Sequence, residues 1–287
     1  MTVTLARDPT QTYADFTSIT SLDQSKAWPA TTAERLIVII DSRAYAAGAT
    51  RALTVTWGGT VVPVVGTNFT TPAVASYDAC YWVGELAAPS AAATQFRVQT
   101  DQATRGLHCV GLFVNGAKSL SAARILDAMA RGTSGNTVNL GGTPNMIGSL
   151  LVASTIIAQA TTVASFTPGA WTSVQSGLCG PASTATATIR YATTASTAAV
   201  ATATQFGAPD VQRGGVLVEI QAEPAAALGM TESVTPTDTI GAPIVAVAVG
   251  LTEALTAGDS SSASVPSTTS PENPVGVWTG AAASWRL

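Results

Sequence analysis

Short apolar segments separated by glycine, proline and polar residues follow one another through most of the chain. Leu36–Ile40 is a continuous, mostly β-branched run, which is typical of a strand buried on both faces. Ala52–Trp57 alternates apolar and polar residues instead, as a strand with one buried face does. Further strands are predicted at Val61–Val65, Ala79–Leu86, Gln95–Thr100 and Leu107–Val114.

A hairpin turn is predicted after the second of these strands. Gly58-Gly59 can adopt positive φ and leads directly into the returning strand Val61–Val65. Pro63 lies inside that strand and has no N–H to donate, so the strand should lie at a sheet edge or contain a bulge.

The same order of features recurs in the second half of the chain. Leu150–Ile157 parallels Leu36–Ile40, and Phe166–Trp171 takes the place of the hairpin. The remaining parallels are Thr186–Tyr191 with Ala79–Trp82, Ala201–Phe206 with Gln95–Val98, and Arg213–Val218 with Arg105–Val110. The pattern therefore predicts an all-β fold, a duplicated antiparallel β-sandwich with halves 35–118 and 149–224.

Residues 119–148 join the two halves. Ser121–Arg131 predicts a short helix with Ser121 as its cap, and the glycine-rich Gly132–Gly148 predicts a loop. The segment is a linker between two small sandwiches or the crossover within one large sandwich. We favour the crossover, because each half alone shows few strands with which to bury both of its faces.

The two ends of the chain differ in composition from the 31–224 sandwich. Residues 1–30 predict an extended arm, which either runs along a neighbour or closes its own sandwich. Residues 225–287 form a repeat and anchor segment, in which TESVTPTDTIGA at Thr231–Ala242 is followed, with a period of 21 residues, by TEALTAGDSSSA at Thr252–Ala263. A fixed period indicates a duplication. Trp278 and Trp285 are the candidate assembly contacts of this segment, because large aromatic side chains are normally anchored in a core or an interface.

Two resemblances follow from these residues. The pair of units resembles the T-E-x-x-T-x-x-D units of proteins in tailed-bacteriophage and related gene-transfer particles. The halves, with LIVII, VTWGG, YWV and RGLHCVGLFVNG in the first and LLVAS, TPGAW, IRY and RGGVLVEIQA in the second, resemble jelly-roll-type β-sandwiches of phage structural proteins. The resemblance implies a decoration, spike or fibre module on a capsid or tail, and it implies no catalytic residues.

Composition and charge limit the classes of partner that we expect for the chain. Charged residues are 10% of the chain and apolar residues 46%, which favours permanent assembly over a freely dissolved enzyme. The net charge of −4, with acidic residues concentrated after Arg213, argues against nucleic-acid binding. No apolar run approaches the roughly 20 residues of a membrane helix, and no secretory signal is recognisable, so we expect synthesis in the host cytoplasm followed by assembly.

Candidate chemistry is sparse. Cys80, Cys109 and Cys179 are too few and too dispersed for a disulfide scaffold or a zinc site, and we expect them to be reduced and buried. His108 and Cys109 are neighbours on a predicted strand, so their side chains should point to opposite faces and form no nucleophile–base pair.

Other residue types that often build sites lack the required grouping. Single acids such as Asp238 and Asp259 do not supply the several oxygen ligands that calcium needs, and no glycine-rich segment has the context of a phosphate loop. The sequence brings no two carboxylates into one cleft, as a glycosidase requires; the candidates are Asp41, Asp78, Glu85 and Asp101. Aromatic side chains that are either core residues or a sugar-stacking platform are Trp57, Tyr81 and Trp82, and we favour core.

These observations predict a non-enzymatic virion structural protein without a cofactor or metal. It would be a head decoration, spike or fibre component that forms homo-oligomers, with a trimer preferred, and that contacts other virion proteins. A tail or tail-fibre component is the nearest alternative. A carbohydrate-binding adhesin, with a host-surface glycan as its partner, is the alternative from another class.

Overall fold

The computed structural model describes residues 2–16, 23–42, 52–67, 80–100, 107–129, 135–157, 159–179, 185–210 and 213–224. Within these ranges the chain is almost entirely β-strand, every sheet is antiparallel, and the only helical turns are two short 3₁₀ segments, Pro9–Thr12 and Ala122–Arg124. The predicted all-β, duplicated sandwich is therefore confirmed. The strands of the first half are β1 Thr4–Leu5, β2 Tyr13–Phe16, β3 Asp23–Ala27, β4 Arg35–Ser42, β5 Leu53–Trp57, β6 Thr60–Val61, β7 Val64–Thr67, β8 Cys80–Ala87, β9 Gln95–Thr100 and β10 Leu107–Asn115.

The second half repeats this series with fewer strands. They are β11 Ile125–Met129, β12 Gly135–Gly142, β13 Leu150–Ile157, β14 Val163–Thr167, β15 Thr172–Cys179, β16 Ala185–Thr193, β17 Val200–Asp210 and β18 Arg213–Ile220.

Each half folds into two sheets with the same interleaved strand order. The inner sheets run β1-β10-β4-β8-β7, with β2 also paired to β10, and β11-β18-β13-β16-β15. The outer sheets run β3-β9-β5-β6 and β12-β17-β14. The last strand of each half lies in the inner sheet, where β10 is between β1 and β4 and β18 is between β11 and β13. The next-to-last strand lies in the outer sheet, where β9 is between β3 and β5 and β17 is between β12 and β14. This interleaving is the strand order of a jelly roll, and we call the halves the first and second jelly rolls.

The two inner sheets pack face to face, and we call this contact the seam. Ile37 and Ile39 of β4 share one apolar cluster with Leu150 and Val152 of β13. The alternate residues of each strand point the other way, into separate cores between the inner and outer sheet of their own jelly roll. Because the inner strands are covered on both faces, every residue of β13 and β18 is buried. The continuous apolar runs thus predicted the inner strands correctly.

The predicted helix at Ser121–Arg131 is wrong over its described residues. A 3₁₀ turn spans Ala122–Arg124, Ser121 makes no side-chain capping bond, and Ile125–Met129 is strand β11, paired to β18. Alanine-rich sequence favours helix, but a segment this short gains more from completing the inner sheet than from local propensity.

The predicted loop at Gly132–Gly148 is also wrong in part, because Gly135–Gly142 is strand β12, paired to β17. Despite its glycines, the strand has alternate apolar residues, Val138 and Leu140, which are buried in the core between the two sheets of the second jelly roll. Residues 119–148 therefore contain the first two strands of the second jelly roll.

The first 30 residues contribute strands to the first jelly roll. β1 and β2 pair with β10, and β3 pairs with β9, so the described part of this segment closes its own sandwich. The returning strand after Gly58-Gly59 breaks at Val62-Pro63. Its first part, β6, pairs with β5 of the outer sheet, and its second part, β7, is the edge of the inner sheet. The prediction that Pro63 marks an edge is confirmed.

Gly111 lets a tryptophan ring lie directly on strand β10. Trp28 is 1% exposed and stacks on Phe96, with ring centroids 3.9 Å apart. A Cβ at position 111 would collide with the six-membered ring of Trp28. The lack of a side chain at position 111 therefore leaves the space that Trp28 fills in the core of the first jelly roll.

Replacing Gly111 with alanine should destabilise the protein by about 1–3 kcal/mol, because Trp28 must leave its rotamer or β10 must shift. Urea unfolding followed by tryptophan fluorescence measures the loss. Gly169→Ala is the control, since a Cβ there meets nothing within 4 Å, and its effect should stay within about 0.5 kcal/mol. Equal effects of the two substitutions would show that close packing of Trp28 on Gly111 is not what position 111 requires.

Candidate functional site

A row of ionisable side chains crosses the inner sheet of the first jelly roll on the face turned to the seam. His108 of β10 lies opposite Asp41 of β4 on one side and Asp15 of β2 on the other. Tyr81 of β8 lies beyond Asp41. Residues in register on neighbouring antiparallel strands have Cβ atoms only about 5 Å apart. The strand register therefore assembles a cluster that is scattered along the sequence.

Asp41 is 1% exposed and accepts a hydrogen bond across the seam. Its Oδ2 accepts a hydrogen bond from the Oγ of Ser154 on β13, whereas its Oδ1 has no partner in the part of the chain that the structure describes. Burial raises the pKa of the carboxyl to about 7, although the bond from Ser154 acts in the opposite direction. The group is therefore a neutral carboxylic acid in mildly acidic solution.

His108 is equally buried and is neutral at physiological pH. Its Nδ1 lies 2.8 Å from the hydroxyl oxygen of Tyr13, whose ring meets the imidazole edge-on at a centroid distance of 5.0 Å. Its Nε2 has no hydrogen-bond partner among the described residues. Burial lowers the pKa of the imidazole to about 3, because the charged form would lose its hydration.

The cluster does not have the geometry of a catalytic triad. Ser154 donates to a carboxyl group and not to an imidazole, and the serine is fully buried. A nucleophilic hydroxyl needs a base that accepts its proton and a path for substrate. The arrangement can hold or release a proton, and it joins the two inner sheets.

Cys109 does not act with its neighbour His108. The cysteine belongs to the core between the inner and outer sheets of the first jelly roll, on the opposite face of β10. Burial raises the pKa of its thiol well above the ordinary range. The prediction that the two side chains point to opposite faces is confirmed. Cys80 is likewise buried; the side chain of Cys179 lies outside the described residues.

The tryptophans that could have stacked on a sugar are core residues. Trp57 is fully buried and donates its Nε1–H to the carbonyl of Ser90, and Trp82 is 3% exposed. Tyr81 is half-buried against the seam. The interpretation of Trp57 and Trp82 as packing residues is confirmed.

Two buried glutamates serve the fold rather than a cleft. Glu85 accepts hydrogen bonds from Arg35, from the hydroxyl of Ser119 and from the N–H of Leu120, at the start of the segment joining the jelly rolls. It lies four register positions from Asp41, too far for joint catalysis. Asp78 and Asp101 lie outside the described residues.

Glu219, which sequence reasoning missed, has an equivalent role in the second jelly roll. It accepts from Arg124 and from the N–H groups of Asn145 and Met146.

Sequence reasoning also missed Ser154, Tyr13 and Asp15. A usable signal existed for Ser154, because a hydroxyl inside a run predicted to be buried on both faces must find a partner there. Within the described ranges, no three His, Cys, Asp or Glu side chains are grouped to hold a metal ion. The candidate contacts Trp278 and Trp285, the repeats, and Asp238 and Asp259 all lie outside the described residues.

Comparison of the chain with protein-family models, with curated proteins and with solved structures finds no match. In the part of the chain that the structure describes, no helix has the length and apolar character to cross a membrane.

The chain contains one histidine, so the NMR titration of its imidazole reports His108 directly. We expect its signal not to titrate near the ordinary value of 6.5. Because the unfolded chain binds a proton below 6.5 and the folded chain does not, His108 should cost stability as pH falls from 6.5 toward 3. The stability of the wild type relative to His108→Gln should fall by about 1.4 kcal/mol per pH unit in that window. An imidazole that titrates near 6.5 would contradict the assignment.

Proposed function

We propose that the chain is a non-enzymatic structural component of a tailed-phage particle, made in the host cytoplasm and assembled as a head decoration, spike or fibre component. The observation that carries the proposal is the tandem jelly roll joined through its inner sheets. Jelly rolls build many viral capsid and lectin domains. Fold alone does not assign function, so the T-E-x-x-T-x-x-D units and the low charge are independent support.

One cleft on the second jelly roll contains a carboxylate that is already hydrogen-bonded within the fold. A shallow cleft of about 400 Å³ is lined by residues of β11, β12, β14 and β17. The carboxylate in its lining, Asp127, accepts hydrogen bonds from the N–H groups of Ala128 and Gly141. Its bond to Gly141 joins β11 to β12. This arrangement supports a structural role.

The sheet edges are suited to assembly. Val61 on β6 and Val64 on β7 are 57% and 56% exposed, and β6 and β7 are edge strands of their sheets. Unpaired edge strands with exposed apolar side chains are sites at which other chains associate. We propose copies of the same chain, as a trimer, and other virion proteins as the partners. Trp278 and Trp285 are the candidate contacts in the tail.

Placement in the tail or a tail fibre is the variant closest to this proposal. An adhesin gains no support from the described aromatic residues, because Trp57 and Trp82 are buried. A host-surface glycan would need a different platform.

The assembly can be tested by sedimentation velocity on the purified full chain at micromolar concentration. We expect the mass of an oligomer, preferably three copies of the 28.9 kDa chain. Replacing Trp278 and Trp285 together by serine should shift the protein toward the monomer while leaving the urea midpoint of the sandwich unchanged. A wild type that sediments as a clean monomer would contradict the oligomer.

The particle assignment has its own test. Particles purified from cultures of the source should contain the chain at a fixed ratio to the major capsid protein, as measured by quantitative mass spectrometry. Antibody-labelled negative-stain images then distinguish head from tail. Recovery of the chain only outside the particle fraction would contradict the proposal.

A further inference from the structure

We propose that Asp41 retains a proton in the seam, and that release of this proton as pH rises loosens the contact between the two jelly rolls. Asp41 is a proton-binding site buried between the two inner sheets. The inference does not depend on the proposed function, because it concerns the cohesion of the sandwich itself.

The geometry requires a neutral carboxyl group. Asp41 is 1% exposed and accepts a hydrogen bond from the uncharged hydroxyl of Ser154. In the described part of the chain it forms no ion pair, and its Oδ1 has no donor. A buried carboxylate needs a cation or several donors to offset its lost hydration. Keeping a proton removes that requirement.

The described groups that neighbour Asp41 on its own sheet supply no compensating positive charge. His108 is buried and bonded to Tyr13, so its imidazole is neutral. The other titratable groups near Asp41 on its own sheet are Asp15, Tyr81 and, on the reverse face, Cys109, and none of them is a cation.

The described charged side chains on the facing sheet do not lie against Asp41. β13, which donates Ser154, contains no titratable residue. The charged residues of the strands beside β13 have partners on their far side: Arg213 bonds the carbonyls of Thr137 and Asp210, Glu219 pairs with Arg124, and Arg190 lies over the ring of Phe166. Among the residues that the structure describes, Asp41 therefore has no counter-charge across the seam.

Ionisation transfers the proton from the carboxyl of Asp41 to a base in the solvent, and no other bond forms or breaks. The carboxylate left behind lies between two apolar sheets with one hydroxyl as its donor. Hydrating it requires water to enter beside Ser154, where β4 and β13 are in contact. The seam therefore weakens first at this end of the two strands.

The sign follows from proton linkage. The folded chain holds the proton up to a pKa of about 7, whereas the unfolded chain releases it near 3.8. The folded state thus binds more protons in this window, and the contribution of Asp41 to stability falls as pH rises through it. His108 has the opposite dependence, so the effect must be isolated by comparison with a variant.

Infrared difference spectroscopy of the wild type, with ¹³C-labelled aspartate, between about pH 5 and about pH 9 detects the proton directly. We expect a protonated-carboxyl C=O band at the lower pH that disappears at the higher one, and that is absent from Asp41→Asn. Ser154→Ala should move the disappearance to higher pH, because the serine hydrogen bond favours the carboxylate. An aspartate that is fully ionised at the lower pH overturns the proposal, and this readout needs only the wild type.

The consequence for the seam is measured by urea unfolding and amide hydrogen exchange. Relative to Asp41→Asn, the unfolding equilibrium constant of the wild type should rise about tenfold per pH unit between about pH 4 and about pH 7. Amides of β13 should lose protection over the upper part of that range in the wild type alone. Asp23→Asn is the control, since it removes the same charge at an exposed site paired with Arg97, and its ratio to the wild type should stay flat. A flat ratio for Asp41→Asn, or equal loss of protection in that variant, overturns the proposal.

Discussion

The contact between the two inner sheets is the constraint on which the rest of the structure depends. Each inner sheet is covered on one face by its own outer sheet and on the other by the inner sheet of the other jelly roll. Strands in that position can hardly alternate apolar and polar residues, so Leu36–Ile40 and Leu150–Val152 are apolar throughout. Each fully buried Val, Leu or Ile contributes about 1.5–3 kcal/mol, and the seam gathers many of them from both halves. The sparse charge of the chain is in part a consequence of this layering.

The polar residues of the seam show what the layering costs. Asp41, His108 and Ser154 are buried where an apolar side chain would pack at no desolvation cost, and the structure accommodates the first two as neutral groups. Their opposite pKa shifts make the net proton balance of the pair nearly constant between the ordinary values of the two groups. The two groups together thus change the stability little across mildly acidic pH. Glu85 and Glu219, by contrast, are held by arginine and backbone N–H groups at the ends of the sheets.

The sequence predicted the strands whose burial produces a recognisable apolar pattern. It missed the strands that form only because they pair with a neighbouring strand. Leu36–Ile40 and Leu150–Ile157 were recognisable because two-sided burial imposes a continuous apolar run. Ser121–Arg131 was not, because β11 is strand only through its pairing with β18, while its alanines favour helix locally. The row of ionisable side chains could not be predicted from the sequence for a similar reason. His108, Asp41 and Asp15 become neighbours only through the registers of three strands, and no local signal specifies a register between strands far apart in sequence.

Because their inner sheets share one apolar cluster, the two jelly rolls should unfold as one cooperative unit. Native-state hydrogen exchange with mass spectrometry, repeated at increasing urea, tests it most directly, because peptides from both jelly rolls are followed in the same sample. We expect the amides of β4 and β10 and those of β13 and β18 to become exchangeable through one common opening at the same urea concentration. Opening of one jelly roll at a distinctly lower urea concentration, with the other still protected, would contradict the claim.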